Sequence, residues 1–151
     1  MSTQRTFVII KPDAVQRGLV GEILARFERK GMQIVGMKFM TATADVAKKH
    51  YQEHSEKPFF GSLVSFFTSS PLVALILEGD EVITVARTLI GATDGRKAAP
   101  GTIRGDYGIS KSNNLVHGSD SPESATRELG IWFPEAAVTW TSCAQSWVQG
   151  D

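Results

Sequence analysis

The longest uninterrupted apolar run of the chain is Leu72 to Leu77, six residues behind Pro71. That is the length of one buried strand, and far short of the about 20 residues that a membrane-spanning helix needs. A shorter run, Phe7-Val8-Ile9-Ile10, reads as another buried strand, closed by Lys11-Pro12. Ile34 to Met40 and Leu115-Val116-His117 complete a set of four predicted strands. Between them the apolar residues follow a helical period. Val20, Ile23, Leu24 and Phe27 fall at i, i+3, i+4 and i+7, with Gly31 as C-cap. A helix is predicted after Thr43, through Ala47 and Tyr51, and another over Val82, Val85, Ala86 and Leu89. The latter follows a predicted turn at Glu78-Gly79-Asp80, with Asp80 as N-cap. Ser121-Pro122 opens a last helix, Ser as N-cap and Pro at N1. From 91 to 113 the chain reads as one long irregular stretch, a length that in compact folds is usually functional or disordered. The order β-α-β-α-β-α-β suits an α+β fold, a ferredoxin-like sandwich of the split-βαβ type.

The 151 residues contain no repeat and no linker-like tract, so residues 1–151 are expected to form one domain. Sixteen Lys and Arg balance sixteen Asp and Glu. A neutral chain does not grip polyanions by bulk charge, and nucleic acid is not expected as the main partner. The single cysteine, Cys143, excludes an internal disulfide framework and a cysteine-rich zinc module. No secretory signal is legible, so the expected compartment is the cytoplasm, with no membrane partner.

Several residue types could carry chemistry. His117 ends the fourth strand and is followed by Gly118, which lets backbone or ligand approach closely. An imidazole is a competent nucleophile or base near neutral pH, but a lone histidine at a strand end is more often a structural residue. Ser119 and Asp120 lie too close in sequence to His117 to form a hydrolytic triad easily. His50-Tyr51-Gln52-Glu53-His54 spells H-x-x-E-H, which on a helix would put two zinc ligands on one face; the plainer reading is a solvated helix flank. Lys11, Arg87, Arg96, Lys97, Arg104 and Lys111 are candidate phosphate clamps or ordinary solvated cations. Arg87 projects from the polar side of its helix. Phe59-Phe60, in a turn-like setting after Lys57-Pro58, is either a stacking platform or a core pair. Neither a P-loop nor a G-x-G-x-x-G turn is present.

Four segments in order resemble the nucleoside diphosphate kinases: Ile10-Lys11-Pro12-Asp13-Ala14-Val15-Gln16-Arg17-Gly18, Lys57-Pro58-Phe59-Phe60, Pro100-Gly101-Thr102-Ile103-Arg104-Gly105-Asp106 and Asn114-Leu115-Val116-His117-Gly118-Ser119-Asp120. The resemblance runs over essentially the whole chain. It implies a four-stranded antiparallel sheet with helices packed on it. It also implies transfer of the γ-phosphate of a nucleoside triphosphate, typically ATP, to a nucleoside diphosphate through a phosphohistidine, maintaining triphosphate pools with broad base specificity. On this resemblance His117 is the nucleophile, with the family pointing to its Nδ1. Lys11, Arg87, Thr93 and Arg104 contact phosphate, Phe59 stacks on the base, and Asn114 with Lys11 holds the ribose. Tyr51 lies near the transferred phosphate, Glu128 orients the histidine and Ser119 supports it. Mg²⁺ is expected to be bound mainly through substrate phosphates, without a protein metal site.

Two positions depart from the family pattern. Lys111 stands where many members place an apolar residue opposite Phe59, and Asp94-Gly95 replaces Asn-Pro or Asp-Pro, which predicts a less stable loop. Trp140, Cys143 and Trp147, at i, i+3 and i+7, read as an apolar stripe of the C-terminal tail, docked on its own domain or on a partner. By resemblance the chain is a homo-oligomer, hexameric rather than tetrameric. Competing functions are a binding module on the same scaffold, for which Arg104-Gly105-Asp106-Tyr107-Gly108 faintly echoes an RNA-reading strand, and a zinc hydrolase built on His50, Glu53 and His54.

Overall fold

The computed structural model describes residues 3–150. Four strands, β1 (Thr3–Ile10), β2 (Gln33–Met40), β3 (Leu72–Asp80) and β4 (Val116–Gly118), form one antiparallel sheet in the order β2-β3-β1-β4. Among the described residues eight α-helices accompany them: α1 (Pro12–Gln16), α2 (Val20–Lys30), α3 (Ala44–His50), α4 (Phe60–Thr68), α5 (Val82–Ile90), α6 (Ile103–Tyr107), α7 (Pro122–Trp132) and α8 (Gln145–Gln149). The architecture is the ferredoxin-like α+β sandwich, with helices on both sheet faces. That is why the second half of β1, Phe7 to Ile10, is apolar without alternation. Phe7 and Ile9 enter one core with Ala47, Phe67 and Trp132, whereas Val8 and Ile10 enter the other with Ile23, Phe27, Val82 and Ala86. Gly31 caps α2 in the left-handed conformation, at φ 105°.

Pairing carries β3 beyond its apolar run. Glu78, Gly79 and Asp80, expected as a turn, oppose Arg5, Gln4 and Thr3. The residue before α5 is therefore Glu81, at φ 49°, and not Asp80. Phe59 is the N-cap of α4, a helix the turn-like reading of Lys57 to Phe60 missed. The C-terminal stripe does not form, because Trp140 precedes α8 in irregular backbone. Instead this segment docks along β2 of its own chain. Val138 N donates to Val35 O at 2.8 Å and Trp140 Nε1 to Ile34 O at 2.9 Å, while Trp147 stays 88% exposed.

The stretch 91–113 is tied down at several points. Thr102 Oγ1 accepts from Gly105 N at 2.9 Å and so caps α6, a helix inside what reads as loop. Arg26 of α2 pairs with Asp106 at 2.7 Å. Gly95 lies against Gly108 so closely that a Cβ there would sit 2.5 Å from the Gly108 carbonyl. Glycine at 95 is thus required by contact in this chain, and the loop stability expected from adding a proline is not available. Gly95→Pro should destabilise the protein by about 1–3 kcal/mol, as overpacking does. A thermal melt showing an unchanged or raised Tm would contradict this packing.

Candidate active site

His117 sits in β4 opposite Ile9 of β1, and its side chain is 27% exposed. Its Nε2 lies 2.9 Å from Glu128 Oε1. Glu128, on α7, is nearly buried, and Ser119 Oγ donates to the same Oε1 at 2.6 Å. Burial alone would raise the Glu128 pKa. The hydrogen bonds from His117 and Ser119 and the nearby imidazole charge overcome this and hold it below the ordinary value. An ionised carboxylate only accepts hydrogen bonds. The proton between the two therefore resides on His117 Nε2, and in the neutral ring Nδ1 is the nitrogen with the lone pair.

The backbone leading into β4 is strained. Leu115 is buried at φ 73°, a left-handed conformation that costs a side-chain-bearing residue roughly 1–2 kcal/mol. Two bonds hold it: Leu115 N donates to Asp13 Oδ2 at 3.0 Å, and Lys11 N donates to Leu115 O at 2.8 Å. The Lys11-Pro12-Asp13 corner after β1 thus fixes the approach to His117. Asp13 has a positioning part that sequence reading missed, although it stands inside a quoted motif.

Lys11 is buried, and its Nζ donates to Asn114 Oδ1 at 2.7 Å and Ser112 O at 3.2 Å. Burial pushes its pKa down to about 8, against the pull of Asp13 and with a further push from Arg104. Asn114 Nδ2 donates to Thr93 O at 3.1 Å and Lys111 O at 3.0 Å, which ties the two ends of the long loop together. Arg87 is not simply solvated: its Nη1 donates to Gly118 O at 3.1 Å beside His117. Arg104 is buried and its guanidinium is largely engaged by carbonyls, Nε to Asn114 O, Nη1 to Gly91 O and Nη2 to Val116 O. Burial and the charge of Arg87 lower its pKa to about 10. Arg96 is bound bidentately by Asp94 at 3.0 and 2.9 Å and belongs to the loop.

Two adjoining cavities meet at Tyr51 and His54. The larger, about 930 Å³, is lined by Lys11, Phe59, Phe66, Thr93, Lys111 and Asn113, among others. Phe59 is 47% exposed on it, so this ring is not half of a buried core pair. The smaller, about 220 Å³, contains His117, Arg87, Asp120 and Glu128. The Tyr51 phenol on their shared wall is held protonated by burial and by the Glu128 charge.

The H-x-x-E-H reading fails because α3 ends at His50. Tyr51 is its C-cap, and Glu53 and His54 lie in the following 3₁₀ turn, Gln52–His54. His50 is buried and meets other partners. Among the described residues, the one group of three His, Cys, Asp or Glu side chains close enough for a metal ion is His50, His117 and Glu128, within 4.8 Å of one another. Trp132 Nε1 donates to His50 Nδ1 at 3.1 Å, so the remaining nitrogen of a neutral His50 carries the proton and is a donor, not a ligand. The sequence signal for this contact was the spacing of Glu128 and Trp132, four apart on α7, read only as a helix.

The nucleoside diphosphate kinase family model matches residues 4–138. The nucleoside diphosphate kinase of Synechococcus sp. is 55% identical over 148 residues, 97% of each chain. That of Nocardia farcinica is 58% identical over 137 residues, 90% of this chain and 99% of its own. The solved structure of a halophilic nucleoside diphosphate kinase from Halobacterium salinarum, in complex with CDP, superposes with a TM-score of 0.94 at 49% identity, over 97% of this chain and 99% of that one.

Burial, then the charge of His117, push the His50 pKa down to about 3. In the unfolded chain it titrates near 6.5. The unfolded state therefore binds the extra proton between these values, and the stability this group contributes is complete above about pH 6.5 and lost as pH falls toward 3. At ~1.4 kcal/mol per unit the effect reaches roughly 5 kcal/mol. Denaturant melts from pH 7 to 4 should show a shallower decline for His50→Phe than for wild type; parallel declines would contradict the burial of this ring.

Proposed function

The chain belongs to the nucleoside diphosphate kinase family, and from that premise we propose that it carries the γ-phosphate of a nucleoside triphosphate to a nucleoside diphosphate on His117, in two half-reactions at one site. Nδ1 attacks the γ-phosphorus, the bond to the bridging oxygen breaks, and the diphosphate leaves. A β-phosphate oxygen of the second nucleotide then attacks the phosphoramidate and the P–N bond breaks. The observation that carries this reading is the bond that His117 Nε2 donates to Glu128 Oε1 at 2.9 Å, which leaves Nδ1 as the lone-pair nitrogen of a ring that lines a cavity. As the ring becomes phosphorylated, Glu128 stabilises the positive charge on it, and Ser119 holds Glu128 in place.

Phosphoryl transfer needs positioning and neutralisation more than bond-making by the protein. Lys11, Arg87, Arg104 and Thr93 supply this on the phosphates, Tyr51 offers its protonated phenol, and Asn114 with Lys11 takes the ribose hydroxyls. Arg104 acts with only the donors its three carbonyls leave free. Phe59 stacks on the base without reading its edge, which supports broad base specificity. Among the described residues the larger cavity has no carboxylate on its wall, and beside the committed Glu128 the smaller one has Glu53 and Asp120. That donor set fits a Mg²⁺ that would be held mainly by nucleotide phosphates and water and not by a cage of protein carboxylates. When bound, Mg²⁺ neutralises phosphate charge and orients the chain of phosphates. We further propose that residues 1–151 act as one domain, that the assembly is a hexamer and that it works on cytoplasmic nucleotide pools. Mass measurement in solution and cell fractionation check the last two.

Incubation with γ-labelled ATP and denaturation should leave an acid-labile, alkali-stable label that chases onto added GDP. His117→Ala should abolish it and His54→Ala should keep it; label persisting without His117 overturns the reading. Because Lys11 titrates near pH 8 when free, nucleotide phosphates should raise its pKa. Binding should then take up a proton at pH 8 and above and weaken as pH rises, whereas little uptake occurs at pH 6.5. Calorimetry in buffers of different ionisation enthalpy reads this, and Lys11→Arg should abolish it. At the mouth of the slot, exposed Lys111 makes nucleotide affinity salt-sensitive. Across a salt series, Lys111→Val should flatten the Kd slope; identical slopes would remove Lys111 from the site.

A further inference from the structure

We propose that His50 is a positioning residue for His117, and that helix α7 orients both imidazoles at once, Glu128 directly and Trp132 through His50. The inference rests on the phosphoryl-carrying role of His117 given above. A single hydrogen bond cannot fix a ring. With Glu128 on Nε2 alone, His117 can still pivot about the Nε2–Oε1 line, and pivoting swings Nδ1 off its approach to phosphorus. A second constraint has to act on the ring's other side.

His50 supplies it. The two imidazoles meet at 82° with centroids 4.8 Å apart, an edge-to-face contact that blocks the pivot. Phe7 closes the remaining approach at 6.2 Å. His50 is itself immobilised. Trp132 Nε1 donates to its Nδ1 at 3.1 Å, Phe67 stacks on it at 5.7 Å and 18°, and Tyr51 meets it edge-on at 4.8 Å. Glu128 and Trp132 lie four apart, so one face of α7 presents both anchors. The Trp132 bond also selects the His50 tautomer with its proton on Nε2.

A phenyl ring would fill the same space, so the histidine must answer to its nitrogens. An aliphatic or aromatic replacement strands the Trp132 N–H, and a charged imidazole would draw the Glu128 carboxylate away from His117. The groups that bear on His50 charge are His117, Glu128, Arg127 and Lys11. Arg127 donates through Nη1 to Lys49 O at 3.2 Å and through Nη2 to His50 O at 3.4 Å, so α7 also grips the end of α3. Burial keeps His50 neutral across the working pH range.

The test compares the full-length wild type with His50→Phe, His50→Gln and Trp132→Phe. Stopped-flow phosphorylation by ATP is read beside nucleotide Kd. A misplacement of about 1 Å costs on the order of 100-fold in rate. His50→Phe should therefore slow phosphorylation by about 10–100-fold with Kd unchanged. His50→Gln, which keeps an acceptor for Trp132 and an N–H donor, should recover part of the rate. Trp132→Phe should slow phosphorylation less than His50→Phe does. Nitrogen-15 NMR of the wild type should show His50 protonated on Nε2. An unaltered rate in His50→Phe, a Kd that weakens as much as the rate falls, no recovery with Gln, or a wild-type His50 protonated on Nδ1 overturns the proposal. If the wild type forms no phosphoenzyme at all, the failure lies in the role of His117 instead.

Discussion

Glu128 is a carboxylate taken almost out of water and yet kept ionised, because His117 and Ser119 both donate to it. The chemistry of the site depends on that charge. It decides which nitrogen of His117 holds a proton, and so which one is left to attack phosphorus in the proposed reaction. It gives the ring a counter-charge when it becomes positive. It also helps keep the Tyr51 phenol protonated across the cavity. Were Glu128 to become neutral, it could offer a proton to Nε2, and the tautomer preference would be lost.

The fold exists to bring that helix to that strand. The paired strands β1 and β3, covered on both faces, give a rigid centre, and β4 is a three-residue edge that contributes little sheet of its own. Its position is set from outside. Asp13 and the Lys11 amide hold Leu115 in its left-handed turn, and Arg104 draws Asn114, Val116 and Gly91 onto one guanidinium. The strain at Leu115 is one of the costs of aiming His117 at the cavity. At Gly118 a Cβ would lie 2.8 Å from Ile90 Cδ1, so any larger residue there has to push the end of that side chain aside.

Much of the fold was legible in the sequence because the relevant forces are local. The apolar runs at 7–10 and 72–77 could only be buried strands, and the period of Val20 to Phe27 ends at a glycine that does adopt the left-handed cap. What was not legible depends on partners distant in sequence. Glu78 to Asp80 look like a turn until β1 is there to pair with them. Trp140, Cys143 and Trp147 at i, i+3 and i+7 imply a helix, but Trp140 instead bonds Ile34, more than a hundred residues away. At the site, His117, Lys11 and Phe59 stood out through motifs. His50 looked like half of a zinc motif because sequence cannot show that α3 stops there, nor that Trp132 takes its Nδ1. Asp13 and Arg127 act on backbone atoms, which leave no trace in residue types.

The account as a whole claims that one nitrogen of one ring carries the phosphoryl group, and that Glu128 determines which. The most direct measurement is nitrogen–phosphorus NMR on the phosphoenzyme, made from protein labelled with nitrogen-15 histidine. The account predicts a phosphorus-coupled Nδ1 in His117 and a proton on Nε2. A phosphorus coupling to Nε2 of His117, or to a nitrogen of His50 or His54, would contradict it.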